Sequence, residues 1–336
     1  YQIGAIVLSP SYLDRLQGAV SWARHNGVPS IHLQHGSWPS PETEHPETAD
    51  VVALPDFFAL EVVNHRARSS AERVVTGLPF STISDRKFLD PEKDFERQSS
   101  ARSRLGIPHD AGVVLWTATL LEGLNLQGVL AHRFFKALQF VGKICRERTG
   151  SGKPTFLIIR QNPSYRPSEH GEAIRSLVQD EGSDVCRVIS DDKEGVFDAC
   201  DVVIPAIAIS SVFLDALAHA RPVVGFGAVE FPAHSYGASL LAPYCKFAMS
   251  ERAFAQELSR LLDDRDYWNH SRTRGYEFAC RMRPFSAEEG TKNVAELIRT
   301  IASRTFESKL DVRAEPGATG SLTLDGQALS LPKHLG

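Results

Sequence analysis

The sequence predicts an α/β protein built from two parallel-sheet units. Three observations carry this expectation. Short apolar runs alternate with segments of helical period from the first residues onward. The alternation comes in two series, separated by a polar and charged stretch over residues 81–103 that has no clean period and reads as a linker. Apolar residues are 42% and charged residues 23% of the 336, a mix that supports a large core and differs from that of a disordered chain.

In the first series, residues 3–8 form a short apolar run. Leu13, Leu16, Val20 and Ala23 then recur at helical spacing until Gly27. Strands follow at 29–33, 51–54 and 73–76, with a helix over 56–67. Strands of the second series are expected at 113–117, 156–159, 185–189, 202–204 and 223–226. Val129, Leu130, Phe134, Leu138, Val141 and Cys145 line one face of a long helix between the first two, and Ile174, Leu177 and Val178 mark another. Strands separated by helices imply βαβ units, hence parallel sheets covered on both faces. Helices are expected near 251–265 and 287–303, and a hairpin signal stands at Asp325-Gly326 within 321–331. The organisation predicted is an N-terminal lobe over 1–85, apparently incomplete because it shows only four strands, and a C-terminal lobe over 86–285. A closing helix over 286–304 should return to the first lobe, and 305–336 read as a tail or the start of a further segment. Ligands of such folds bind at the carboxyl ends of the strands, here in a cleft between lobes joined near 80–110.

Composition excludes several classes. Lys plus Arg total 37 against 41 Asp plus Glu, a net charge of −4, so no basic nucleic-acid domain is encoded. The longest uncharged apolar run, 202–209, is broken by Pro205 and is too short to cross a bilayer. The start, Tyr1-Gln2-Ile3-Gly4, lacks both Met and the basic region of a signal peptide, which predicts a piece of a longer or processed chain. The five cysteines (145, 186, 200, 245 and 280) form no C-x-x-C pair and read as buried thiols of a reducing compartment. The G-x-x-x-x-G-K-[ST], H-E-x-x-H and G-x-S-x-G motifs are absent, and Gly225-Phe226-Gly227 lacks the third glycine of a dinucleotide loop. No D-x-D metal motif occurs, since Asp191 and Asp192 are adjacent.

Four places carry candidate chemistry. A strand ends in Gln34-His35-Gly36, where Gly36 permits a turn and His35 can project into the cleft as a base or simply bond loop backbone. A second strand leads to Ser210-Ser211 at a helix start. Free N–H groups there suit phosphate, and Asp215, one turn on, can reach ribose hydroxyls; a plain Ser cap followed by an acidic first turn is the other reading. Arg160 and Asn162 end a third strand, as phosphate ligands or as solvated strand-end groups. Thr117 ends a fourth. Thr119, Glu122, Asp191 and Asp192 are weaker candidates, the last two as turn caps.

In order, these pieces resemble a GT-B glycosyltransferase of the bacterial capsule and surface-polysaccharide group. That group includes Kdo transferases of lipopolysaccharide, and the resemblance extends to the CDP-glycerol glycerophosphotransferases. Ala23-Arg24, Gly27-Val28-Pro29 and Gln34-His35-Gly36 resemble the group's A-R…G-[IV]-P…Q-H-G stretch, and Val75-Thr76-Gly77-Leu78-Pro79 its V-T-G-x-P. Cys200-Asp201-Val202-Val203, Ser210-Ser211, Asp215-Ala216-Leu217 and Arg221-Pro222-Val223 resemble the donor-site stretch. Asn162 departs from it, standing where the family's Lys-x-His-Pro has a donor-contacting histidine.

The resemblance implies two Rossmann-like lobes with parallel sheets facing a cleft, and transfer of a sugar from a CMP- or UDP-linked donor to a glycan or glycolipid hydroxyl. It implies His35 as the catalytic group and Thr117, Arg160, Asn162, Ser210, Ser211 and Asp215 as donor ligands, with no metal and no separate cofactor. A cytoplasmic location with peripheral contact to the inner membrane, no nucleic-acid partner, and membership of a longer multidomain chain are the corresponding expectations. Polyol-phosphate transfer, sugar-nucleotide epimerisation and a non-catalytic module of the same fold are the alternatives.

Overall fold

The computed structural model describes residues 3–8, 14–34, 49–66, 71–77, 90–117, 127–161, 172, 174–176, 178–179, 182, 185–205, 211–226 and 236–310. The first unit comprises β1 (Ile6–Leu8), α1 (Asp14–His25), β2 (Ser30–Leu33), β3 (Val51–Leu54), α2 (Phe57–Arg66) and β4 (Glu72–Val75). Its four strands are parallel and lie side by side in chain order. Period-2 alternation divides β3 between two faces. Val52 and Leu54 pack with Ala59 and Val63 of α2, whereas Val51 and Ala53 pack with Ile31 and with Leu297 and Ile301 near the end of the described chain. The Asp50 carboxylate accepts from the backbone N–H and the hydroxyl of Ser30, at 2.8 and 2.7 Å, and so ties the starts of β2 and β3.

The second unit begins with α3 (Pro91–Leu105), β5 (Gly112–Thr117), α4 (Gln127–Gly150), β6 (Thr155–Arg160) and β7 (Cys186–Ile189). It continues with α5 (Lys193–Ala199), β8 (Val202–Pro205), α6 (Val212–Ala218), β9 (Val224–Phe226), α7 (Tyr236–Leu241), β10 (Lys246–Ala248), α8 (Glu251–Asp263) and α9 (Arg265–Met282). The helix α10 (Ala287–Leu310) closes the described chain. Four strands pair in the order β7-β6-β5-β8, and a parallel bridge between Val203 and Val223 joins them to the β9–β10 pair. Counted from β5, the array reads 3-2-1-4-5-6, the doubly wound Rossmann order. One face (Val113, Leu115, Ile158, Val203) packs under α3, α5, α6 and α9, and the other (Val114, Trp116, Leu157, Ile204) under α4 and α8.

Four segments differ from the sequence expectation. The stretch read as a linker is helical from Pro91: Asp90 caps α3, Pro91 opens it, and Gly106 closes it in the left-handed region at φ 63°. Its period is obscured because its inward face carries charge. Asp94 accepts from Arg221 at 2.9 and 3.1 Å and from Arg272 at 2.7 Å. Arg102 donates to Asp201 at 2.7 Å and to the Ala199 carbonyl at 2.9 Å. Helix α9 and strand β10 were not expected; α9 mixes Trp268, Tyr276, Phe278 and Met282 with a buried Arg272, which breaks its apolar stripe. Finally, α10 runs on to Leu310, into the segment read as tail.

Helix α10 lies on the first sheet, where Asn293 donates to the Thr76 carbonyl at 3.1 Å. Gly77, at φ 82°, permits this return: a Cβ there would stand 2.9 Å from the Phe285 Cβ and 3.2 Å from the Gly290 Cα. The two units also meet through α2. Phe58 and Val62 join the core beneath α9, Phe58 meets Phe278 edge-on, and His65 stacks on Tyr236 at 3.8 Å.

Candidate functional site

In a 3-2-1-4-5-6 sheet the strand order reverses between the first and fourth strands, and a crevice opens there at the carboxyl ends. In this chain those strands are β5 and β8. Their register sets Thr117 opposite Pro205 on one side and opposite Arg160 of β6 on the other, so Thr117 and Arg160 stand side by side on the crest. Thr117 is 2% exposed, and its hydroxyl has no hydrogen-bond partner among the described residues. A buried hydroxyl left unpaired costs about 1–3 kcal/mol, and this one lies at the switch point. Arg160 is half-buried beside it, and Gln161, 1% exposed, follows. Gln161 carries no charge and stands at the variable position of the Lys-x-His-Pro pattern, so nothing in the sequence singles it out.

Beyond β8 the chain enters α6. Ser211 precedes the helix with φ −53° and ψ −18°, and its side chain makes no capping bond. The plain Ser-cap reading therefore fails for Ser211. One turn on, the Asp215 carboxylate accepts from Arg283 Nη1 at 2.6 Å. Arg283 follows α9 and donates through Nε to Asp56 at 2.9 Å. Asp56, fully buried, caps α2 by accepting from the Ala59 N–H at 2.8 Å. Burial opposes the charge of Arg283, and the two carboxylates overcome it and raise its pKa. One guanidinium thus spans a carboxylate past β3 of the first sheet and a carboxylate past β8 of the second. No local pattern in the sequence pairs positions this far apart.

His35, Asn162, Ser210, Thr119 and Glu122 lie outside the described residues. Asp192 is a cap: it accepts from the Gly195 N–H at 2.8 Å and pairs with Arg104 at 2.7 Å. The motif residues Asp201 and Arg221 are architectural. Asp201 accepts from the Val113 N–H at 2.7 Å as well as from Arg102, and Arg221 is fully buried against Asp94. The cysteines at 145, 186, 200 and 245 are buried, and burial pushes the Cys145 and Cys200 thiols up to about 12, away from nucleophilic use. Among the described residues no helix is long and apolar enough to cross a membrane.

No protein-family model matches the sequence, and no curated protein matches it. Solved structures do. A glycosyltransferase from Rickettsia africae superposes with a TM-score of 0.55 at 10% identity, over 88% of this chain and 76% of that one. Anabaena HepE in complex with UDP gives 0.54 at 13% identity, over 88% and 78%. A co-structure of S. aureus MnaA with UDP gives 0.53 at 15% identity, over 94% and 77%. At such identities the likeness concerns the fold: the chain has the GT-B architecture, two Rossmann-like lobes built on parallel sheets.

Proposed function

We propose that the protein is a GT-B transferase that moves a sugar from a nucleotide-activated donor to a glycan hydroxyl in bacterial surface-polysaccharide synthesis. The observation that carries this reading is the orphaned Thr117 hydroxyl beside Arg160 at the switch point of the second sheet. A donor phosphate supplies the acceptor that Thr117 lacks and the anion that suits Arg160. Two of the similar structures hold UDP, which favours a pyrimidine nucleotide. Ser210, Ser211 and Asn162 complete the donor side in this proposal, and His35 takes the proton from the attacking hydroxyl. That hydroxyl must lose its proton as the new bond to the sugar carbon forms and the nucleotide phosphate leaves. No covalent intermediate on the protein is required. Fixed donors around the departing phosphate stabilise the charge that develops on it.

The test is a panel of CMP, CDP, UDP and GDP measured by calorimetry on the wild type and Thr117→Val. Valine keeps the shape and strand preference of threonine but removes the orphan, so the unliganded variant should melt no lower than the wild type. Nucleotide binding should weaken by about 1.5–3 kcal/mol, the worth of a hydrogen bond to a charged group. Unchanged affinity in the variant, or no binding across the panel, sinks the reading. Formation of a new sugar nucleotide without acceptor would instead indicate epimerisation.

A further inference from the structure

A cavity of about 130 Å³ opens between α8 and the first half of α9, beside the starts of β9 and β10. The strands of this sheet are parallel, so the cavity lies at the opposite edge from the crest that carries Thr117 and Arg160. Lys246 opens β10, and His270 and Arg274 stand one helical turn apart on α9. These three line the cavity together with Tyr244, Tyr267 and Glu257. We propose that this cavity is a second anion site and takes the phosphate group of a small monoester. The proposal does not rest on the donor reading above.

Charge and size both point to such a ligand. Lys246 and Arg274 are exposed, and neither has a salt-bridge partner among the described residues. Glu257 is the one carboxylate among the lining residues, and it accepts from the Tyr267 hydroxyl at 2.5 Å. The lining therefore carries two fixed positive charges against one negative charge. Both tyrosines are held in place by further cations: Arg260 lies over the Tyr267 ring at 3.7 Å, and Arg281 donates to the Tyr244 hydroxyl at 3.0 Å. An arginine fork and a lysine point charge together match a phosphate dianion, the fork taking two oxygens and the ammonium a third. A carboxylate has only two oxygens and would leave one cation idle. The volume is well below the about 300–1,000 Å³ of pockets that enclose drug-sized ligands, so a whole nucleotide does not fit.

The test is calorimetry with methyl phosphate on the wild type, Lys246→Gln, Arg274→Gln, Arg252→Gln and Thr117→Val. Arg252 is an exposed arginine of α8 that does not line the cavity, and Lys246 and Arg274 are exposed too, so all three glutamine variants should fold as the wild type does. The wild type should bind methyl phosphate with a Kd below about 1 mM. Lys246→Gln and Arg274→Gln should each weaken binding by about tenfold or more, as loss of a hydrogen bond from a charged group requires. Arg252→Gln and Thr117→Val should leave it within about twofold, the first because diffuse charge is not the cause and the second because the crest is not the site. Flotation with phosphatidylcholine vesicles containing phosphatidic acid separates the two sources of such a group. Vesicle binding that Lys246→Gln and Arg274→Gln abolish assigns a lipid headgroup, and its absence assigns a free ester. No binding of methyl phosphate, unchanged affinity in either Lys246→Gln or Arg274→Gln, or an equal loss in Arg252→Gln or Thr117→Val overturns the proposal.

Discussion

Asp94 shows how a single carboxylate can hold a unit together. Burial raises its pKa, and Arg221, Arg272 and Arg97 beside it override that and hold the carboxyl below its ordinary value. Asp94→Ala would leave Arg221 and Arg272 buried without their anion, and removal of one partner of a buried pair costs about 3–5 kcal/mol; urea unfolding measures it. The same geometry sets an acid limit. A carboxylate whose folded pKa lies below its unfolded value contributes fully above about pH 4 and loses that contribution as pH falls through the folded value. Asp263 acts likewise: hydrogen bonds from Arg148 and then Lys153 hold its pKa down to about 2. Stability should therefore fall from about pH 4 downward, and in Asp94→Ala the Asp94 part of that acid dependence should vanish. An acid titration of the unfolding midpoint that leaves wild type and variant parallel would contradict this.

At the scale of elements, α3 and α10 teach opposite lessons. The boundaries of α3 are written in residues 90–106 as an Asp cap, a first-position Pro and a terminal Gly, although the helix has no clean apolar stripe. Cap residues mark the ends of this helix where its apolar period does not. Helix α10 was legible from its period, but its docking depends on Gly77, which lies in another lobe's terminal strand segment and meets Phe285 and Gly290. Gly77→Ala forces a side chain into a left-handed backbone and into that contact, at a cost above about 1 kcal/mol. The expected outcome is a lower melting temperature with faster amide exchange along 287–304, α9 keeping its protection. Uniform exchange over both helices would show that Gly77 does not govern α10.

For the whole molecule, the fold sets the second crest, with Thr117 and Arg160, in the lobe opposite the β2 strand that leads to His35. In the proposed reaction the donor occupies one lobe and the base approaches from the other. His35→Ala should then lower turnover by about 10²- to 10⁴-fold while nucleotide affinity changes little, since a positioned base acts on the acceptor hydroxyl. Steady-state kinetics at saturating donor and acceptor checks this, with nucleotide calorimetry on the same variant. Normal turnover would leave His35 with no part in the chemistry.

The sequence by itself determined the two α/β units and their parallel strands, because strand and helix periods are local and a strand that leads into a helix has few ways to continue. It also marked Thr117, Arg160 and Ser211 as strand-end or helix-start positions, which follows from the same local pattern. Only the tertiary structure decided their grouping. Register between β5, β6 and β8 set Thr117 against Arg160, and strand order placed both at the switch point. Tertiary structure also turned Asp201 and Arg221, motif residues in the sequence, into architectural anchors. It gave Asp215 a partner, Arg283, that lies 68 residues away and shares its charge with Asp56 of the other lobe. Buried ion pairs of this kind leave no periodic trace, because each depends on where a distant backbone brings a charge and not on the spacing of its neighbours.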